Sequence, residues 1–219
     1  MHDIDALAAQ IEAELQAVSQ STAELRKVRR RWSARLRSHP PEVVVALALW
    51  LFEHFRRRWI AYELVLYHPS AVRLVGPDNV ERFAGQLGSW ADVDQFGVLL
   101  AGPAWRAGQL GDPIIHAWAR RPDPMWRRAA LVATVPLNVR SQGGWGDVGR
   151  TLRVCQMLVA DRDHLVSRAL SWALRELIVH DRAAVEAFLA AHAAALPAHV
   201  RREVASKLNT GRKTPRATI

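Results

Sequence analysis

The chain has 219 residues, half of them apolar and 23% charged, which argues against a disordered polymer and suffices for one domain with a real core or two small ones. Thirty Lys and Arg against 21 Asp and Glu give a net charge of +9, nearly all of the positive charge being arginine, and a sequence pI of about 11.0. That balance favours a polyanionic or acidic partner and says nothing about fold. The single cysteine, Cys155, excludes an intramolecular disulfide and any multi-cysteine metal centre. It sits in the apolar run VCQMLV and reads as a buried, inert thiol of a reducing compartment, so a cytoplasmic location is expected.

In chain order, apolar residues recur at spacings of three and four almost throughout, and no stretch alternates as a strand would. The opening MHDIDALAAQIEAEL is acidic and amphipathic, so no signal peptide is expected. Helices are predicted at 4–19, 22–37, 41–54, 57–67, 77–87, 90–101, 112–121, 124–136, 146–160, 163–179, 182–194 and 197–208. The run VVVALALWLF at 43–52 is about half of what a bilayer requires and reads as a buried helix, so no membrane partner is expected. Asp-Pro pairs at 112–113 and 123–124 read as N-cap and first helical residue. Many short helices joined by short turns suggest stacked helical hairpins, an all-α solenoid, with residues 1–208 as one domain and 209–219 as a basic, flexible tail.

The densest basic run, LRKVRRRWSARLR at 25–37, places Leu25, Val28, Trp32 and Leu36 on one stripe. Arg26, Arg29, Arg30 and Arg37 lie away from it, extended by Lys27 and Arg31, as a cationic outer face. Further clusters are Arg56 to Arg58, Arg120 with Arg121, Arg127 with Arg128, and Arg168 with Arg175. Any one run also reads as a solvated surface, but guanidinium forks suit phosphate oxygens well. No P-loop, dinucleotide fingerprint, nucleophile elbow or HExxH occurs, and the nine histidines show no ligand spacing, so neither metal nor cofactor is expected.

Three helices carry unusual residues. In LGSWADVDQFG at 87–97 the core stripe is Val93, Phe96 and Leu100, whereas Trp90 and Asp94, four apart, share an adjacent face with Gly97 and Ala101. The small residues leave room for a close approach to the backbone there. Asp92 points elsewhere and reads as a first-turn carboxylate favoured by the helix dipole. In HLVSRALSWALREL at 164–177 the stripe is Val166, Leu170, Ala173 and Leu177, and Trp172 lies opposite, among Arg168, Arg175 and Glu176. In DPMWRRAALVATV, Arg128 falls between apolar positions on both sides, so it is partly buried and needs an acidic partner, either a carboxylate of the protein or a phosphate.

These stretches, SWADVD (89–94), WRRAAL (126–131) and RALSWALREL (168–177), taken in that order, resemble the HEAT-like-repeat DNA alkylation repair glycosylases of the AlkD type. The resemblance implies a right-handed, C-shaped solenoid that grips duplex DNA containing alkylated bases, acts as a monomer and releases N3- or N7-alkylated purines. It implies catalytic roles for Asp94, Trp90 and Trp172, and DNA contacts for Arg128 and Arg175. Arg168 and Arg127, beside these positions, extend the expected DNA-binding set. Such enzymes are thought to act without extruding the base into a pocket, in keeping with the lack of a pocket motif. Two other readings remain open at this point: a non-catalytic DNA-binding relative, and a protein-interaction scaffold.

Overall fold

The helices begin and end where local chemistry dictates. A computed structural model of the chain describes residues 4–85 and 87–214, and every regular element among them is helical. The α-helices are α1 (Ile4–Gln16), α2 (Thr22–Leu36), α3 (Pro41–Phe55), α4 (Arg58–Tyr67), α5 (Pro77–Ala84), α6 (Trp90–Phe96), α7 (Gly102–Arg106), α8 (Asp112–Trp118), α9 (Pro124–Val132), α10 (Val135–Asn138), α11 (Val148–Met157), α12 (His164–Leu177), α13 (Arg182–Ala191) and α14 (Ala198–Thr210). Proline opens α3, α5 and α9 at a position where its missing N–H costs nothing. Asp123, Asp147, Asp163 and Asp181 cap α9, α11, α12 and α13 through their carboxylates. At α8 the cap lies one residue earlier than expected: Gly111 is the N-cap, Asp112 is the first helical residue, and its carboxylate accepts from Arg150 Nε at 2.8 Å.

The chain forms two compact units. One comprises Met1–Gln86 and Leu99–Leu110, the other Leu87–Val98 and Gly111–Ile219. In the first unit, α3 packs on α1 and α4, and α4 on α2. Its centre is apolar and aromatic: Phe52, Tyr62 and Phe83 stand at centroid separations of 6.0 to 6.2 Å, and the Tyr62 hydroxyl donates to Phe83 O at 2.8 Å. Within 43–52 the helix buries Val44, Val45, Leu47, Ala48, Leu49, Leu51 and Phe52 in this core, and no described helix is long and apolar enough to cross a membrane.

Several arginines of the first unit are internal struts. Arg29, expected on the outer face of α2, instead pairs with Glu63 at 2.6 Å and lies over the Tyr67 ring at 4.2 Å. The apolar stripe of α2 sits deep enough to draw its flank onto α4. Arg57 holds Glu12 with two bonds of 2.8 and 2.7 Å, and Arg58 covers Phe52 and donates to Ala84 O. Arg26, Arg30 and Arg37 are exposed, as expected.

In the second unit α9 packs against α12, α6, α8 and α11, and α12 also carries α14. Phe96, Trp118 and Trp126 form its aromatic cluster, with centroids 5.2 to 6.3 Å apart. Cys155 is fully buried there, and burial drives its thiol far above the ordinary range. Helix 90–101 does not stop at Gly102-Pro103. α6 widens into a π-type turn over Gly97–Ala101 and runs on into α7. Proline cannot supply a backbone donor, and a wider turn leaves space for its ring.

That turn changes the meaning of Gly97. The close approach its lack of a side chain permits is by α9: a Cβ at Gly97 would stand 2.7 Å from Val132 Cγ1 and 2.9 Å from Val132 Cβ. The room belongs to helix packing and not to DNA. Gly97→Ala should therefore be destabilising, because overpacking of about 1–3 kcal/mol exceeds a gain in helix propensity of about 1 kcal/mol. Urea unfolding of the variant should show a lower midpoint at an unchanged slope.

Candidate active site

Three helices of the second unit converge on one open cavity of about 440 Å3. α6 starts at Ser89, whose extended backbone and Oγ, accepting from Asp92 N at 3.2 Å, fix the first turn. Leu87, Val93 and Phe96 bury the inner face of this segment. Trp90 is thereby pushed outward, 58% exposed, with Asp94 one turn along on the same side. An indole that exposed is a large apolar surface left to water unless a partner covers it.

Arg128 supplies the second wall from α9. It is 6% exposed and meets Asp94 side on: Nε to Oδ1 and Nη2 to Oδ2 are each 2.9 Å. Its remaining nitrogen, Nη1, donates to Leu165 O at the start of α12. The acidic partner required by the sequence is thus Asp94, 34 residues away. The fork leaves each Asp94 oxygen a free lone pair, since a carboxylate offers about four acceptor sites. The carboxylate is fixed in orientation and still able to accept from a water.

α12 supplies the third wall. Val166, Leu170, Ala173 and Leu177 are buried as expected, so Arg168, Trp172 and Arg175 line the cavity. Trp172 is half-buried, and its Nε1 donates to Glu176 Oε1 at 3.0 Å, which fixes the ring plane. Arg175 Nε donates to Ser171 O and Oγ at 3.1 and 3.2 Å. Burial pulls the Arg175 guanidinium below its ordinary value, while Glu203 and Glu176 pull it back up. It stays charged, and a desolvated cation of this kind gains from an incoming anion.

Of the seven site residues expected from the sequence, six line this cavity: Trp90, Asp94, Arg128, Arg168, Trp172 and Arg175. Arg127 is not part of it. Its Nε pairs with Asp161 Oδ2 at 2.7 Å, and its Nη1 donates to the carbonyls of Arg121 and Pro122. Asp161 in turn accepts from Asp163 N at 2.9 Å, so Arg127 braces the turn that starts α12. Two lining residues were missed, Leu165 and Lys213. Leu165 follows the N-cap of α12, where periodicity is not yet established. Lys213 lies past the last helical pattern, and its charge was its only signal. His180 and His116 lie elsewhere: His180 Nε2 is 2.6 Å from Asn138 O, and His116 is half-buried on α8. Among the described residues no group of three or more His, Cys, Asp or Glu is placed to hold a metal ion.

A family model described as DNA alkylation repair enzyme matches residues 2–208, nearly the whole chain. The chain belongs to the DNA alkylation repair enzyme family, which makes its role DNA repair. Comparison with curated proteins and with solved structures gives no match.

The Asp94–Arg128 pair should be a structural element as well as a functional one. Removing one partner of a buried pair strands the other charge. Arg128→Met should cost about 3 kcal/mol, the lower end of the range for such pairs, because Asp94 keeps some contact with water. Chemical denaturation of the purified variant measures this.

Proposed function

We propose that this protein is a DNA glycosylase that excises N3- or N7-alkylated purines from duplex DNA by hydrolysing the N-glycosidic bond. The observation that carries the proposal is the meeting of an oriented carboxylate, two indoles and two further arginines around one open cavity. A purine alkylated at N3 or N7 is already cationic. When the C1′–N bond breaks, its electron pair neutralises the leaving base, so little acid assistance is required. Positive charge then develops on the sugar, as in glycoside hydrolysis generally.

Asp94 is suited to that charge. Held by Arg128, it presents a fixed oxygen to the sugar and orients a water towards C1′, accepting the proton that the water loses as it adds. Trp90 and Trp172 offer ring faces to the cationic nucleotide, at about 0.5–2 kcal/mol each. Arg168 and Arg175 neutralise flanking phosphates. Arg128 acts by holding Asp94 in place, and any DNA contact it makes is shared with that pairing. An open cavity suits a lesion approached from outside the helix without full extrusion of the base.

One observation favours a binding-only relative: both Asp94 oxygens already face a guanidinium, which tempers the negative potential offered to a sugar. Catalysis and binding separate cleanly in one experiment. Purified protein is incubated with methylated duplex DNA and the released bases are identified by chromatography. The wild type should release 3- or 7-methylpurine, and Asp94→Asn should be slower by about 100-fold or more, the loss expected for a transition-state stabiliser. Duplex binding of the variant should stay close to wild type, while its melting temperature should fall because buried Arg128 loses its counter-charge, so excision is compared well below that temperature. Full excision by Asp94→Asn would remove Asp94 from the chemistry, and no release by a wild type that binds DNA would establish the binding-only reading.

A further inference from the structure

The segment after α14 has no place in the family match, which ends at residue 208. It is nevertheless built into the site. Gly211 takes a left-handed conformation, with φ of 71°, and turns the chain back along α14. The turn is clamped: Lys207 Nζ donates to Gly211 O at 2.8 Å, Ser206 Oγ to Arg212 O at 2.9 Å, and Arg212 N to Thr210 Oγ1 at 3.2 Å. The result brings Lys213 to the rim of the cavity shared by Trp90 and Trp172. Residues 215–219, the end of the expected flexible tail, lie outside the described residues.

At the rim, Lys213 Nζ is 3.3 Å from Glu203 Oε1. Glu203 Oε2 accepts from Ser171 Oγ at 2.6 Å, and Ser171 also holds Arg175 Nε. Lys213 and Arg175 therefore flank one carboxylate. Burial raises the Glu203 pKa, but the Ser171 hydroxyl, the Lys213 ammonium and the Arg175 guanidinium outweigh it, and the carboxyl lies below its ordinary value. It is ionised at neutral pH and serves as a resident counter-ion. The Lys213 side chain is 39% exposed, and a pair so wet is worth little. An ammonium has three donors, so two remain for an incoming anion. Its flexible stem lets it move the short distance needed.

We propose that Lys213 is a phosphate-binding residue of the lesion site: with Arg175 it seats one backbone phosphate of the DNA, and Glu203 holds it in position until the DNA arrives. This rests on the reading of the cavity as a DNA lesion site. The phosphate exchanges with Glu203 at the ammonium and adds an anion beside Arg175, whose charge is disfavoured by burial despite the nearby Glu203 and Glu176. The flanking indoles remain free for the nucleotide itself.

The test uses the full chain and a duplex carrying a single tetrahydrofuran abasic analogue. Affinity is measured against salt for the wild type, Lys213→Gln and Glu203→Gln, with melting temperatures as a folding control. Each phosphate neutralised contributes about 0.9 to the slope of log affinity against log salt. Lys213→Gln should lower the slope by a measurable part of that amount, since Arg175 still meets the same phosphate. Glu203→Gln should bind more tightly than wild type, because it releases Lys213 from its counter-ion. Neutral methylphosphonates are then placed singly along the strand. One position should weaken wild type severalfold and Lys213→Gln markedly less, because only the Arg175 contact to that phosphate is then left to lose. A Lys213→Gln protein with the wild-type slope, or equal sensitivity of both proteins at every position, overturns the proposal. A wild type that fails to bind duplex overturns it together with the lesion-site reading. Tight, Lys213-dependent binding here, with no base released from the methylated duplex, keeps the phosphate seat and rejects the glycosylase.

Discussion

Arg128 reaches three helices from one buried position. It rises from α9, grips Asp94 on α6 and donates to the first turn of α12. A guanidinium this deeply buried is tolerable only with a charge partner and its donors satisfied, so the position of α6 against α9 is not free to vary. The Gly97–Val132 approach tightens the same contact by sterics alone. Trp90, one turn before Asp94, takes its place from these two constraints, although its own ring is open to water. The cavity is therefore a by-product of how the core is locked, which suits a site that must hold its geometry without a bound partner.

The same residue type serves two ends in this chain. Arg29, Arg57 and Arg127 are spent on Glu63, Glu12 and Asp161, while Arg168 and Arg175 face the cavity. A paired arginine adds nothing net to the local field, so the count of 30 Lys and Arg overstates the cations available to a polyanion, whereas the surplus of +9 already discounts such pairs. Runs such as Arg29 to Arg31 or Arg56 to Arg58 mix struts with exposed cations in adjacent positions.

The sequence carried the helices well because caps and periodicity act locally. Asp163 caps α12 and Ser89 starts α6, each within three residues of the groups they satisfy. Trp90, Asp94 and Trp172 could be placed on non-core faces for the same reason, since 3.6 residues per turn fixes the face before any tertiary contact forms. What the chain could not reveal was pairing. That Arg128 needs an acid follows from its neighbours, but which acid depends on packing between segments 34 residues apart. Arg127 and Arg128 are adjacent and equally basic, and only the packing of α9 turns one inward to the cavity and the other to Asp161. Gly97 was read as an opening because a missing side chain does not say what fills the gap. Lys213 had no periodic context at all, its position depending on the left-handed Gly211 turn.

Residues 87–98 belong to the second unit, while the chain before and after them belongs to the first. The two units are thus interleaved along the polypeptide rather than strung in series. A fragment starting at residue 111 would contain most of the second unit yet lack Trp90 and Asp94, and would leave Arg128 an orphan cation in its interior. During synthesis the carboxylate leaves the ribosome ahead of its guanidinium and must wait for α9 before it has a partner. The closure is non-local, so the second unit cannot be swapped or inherited as one contiguous cassette from residue 111 onward without dismantling the site.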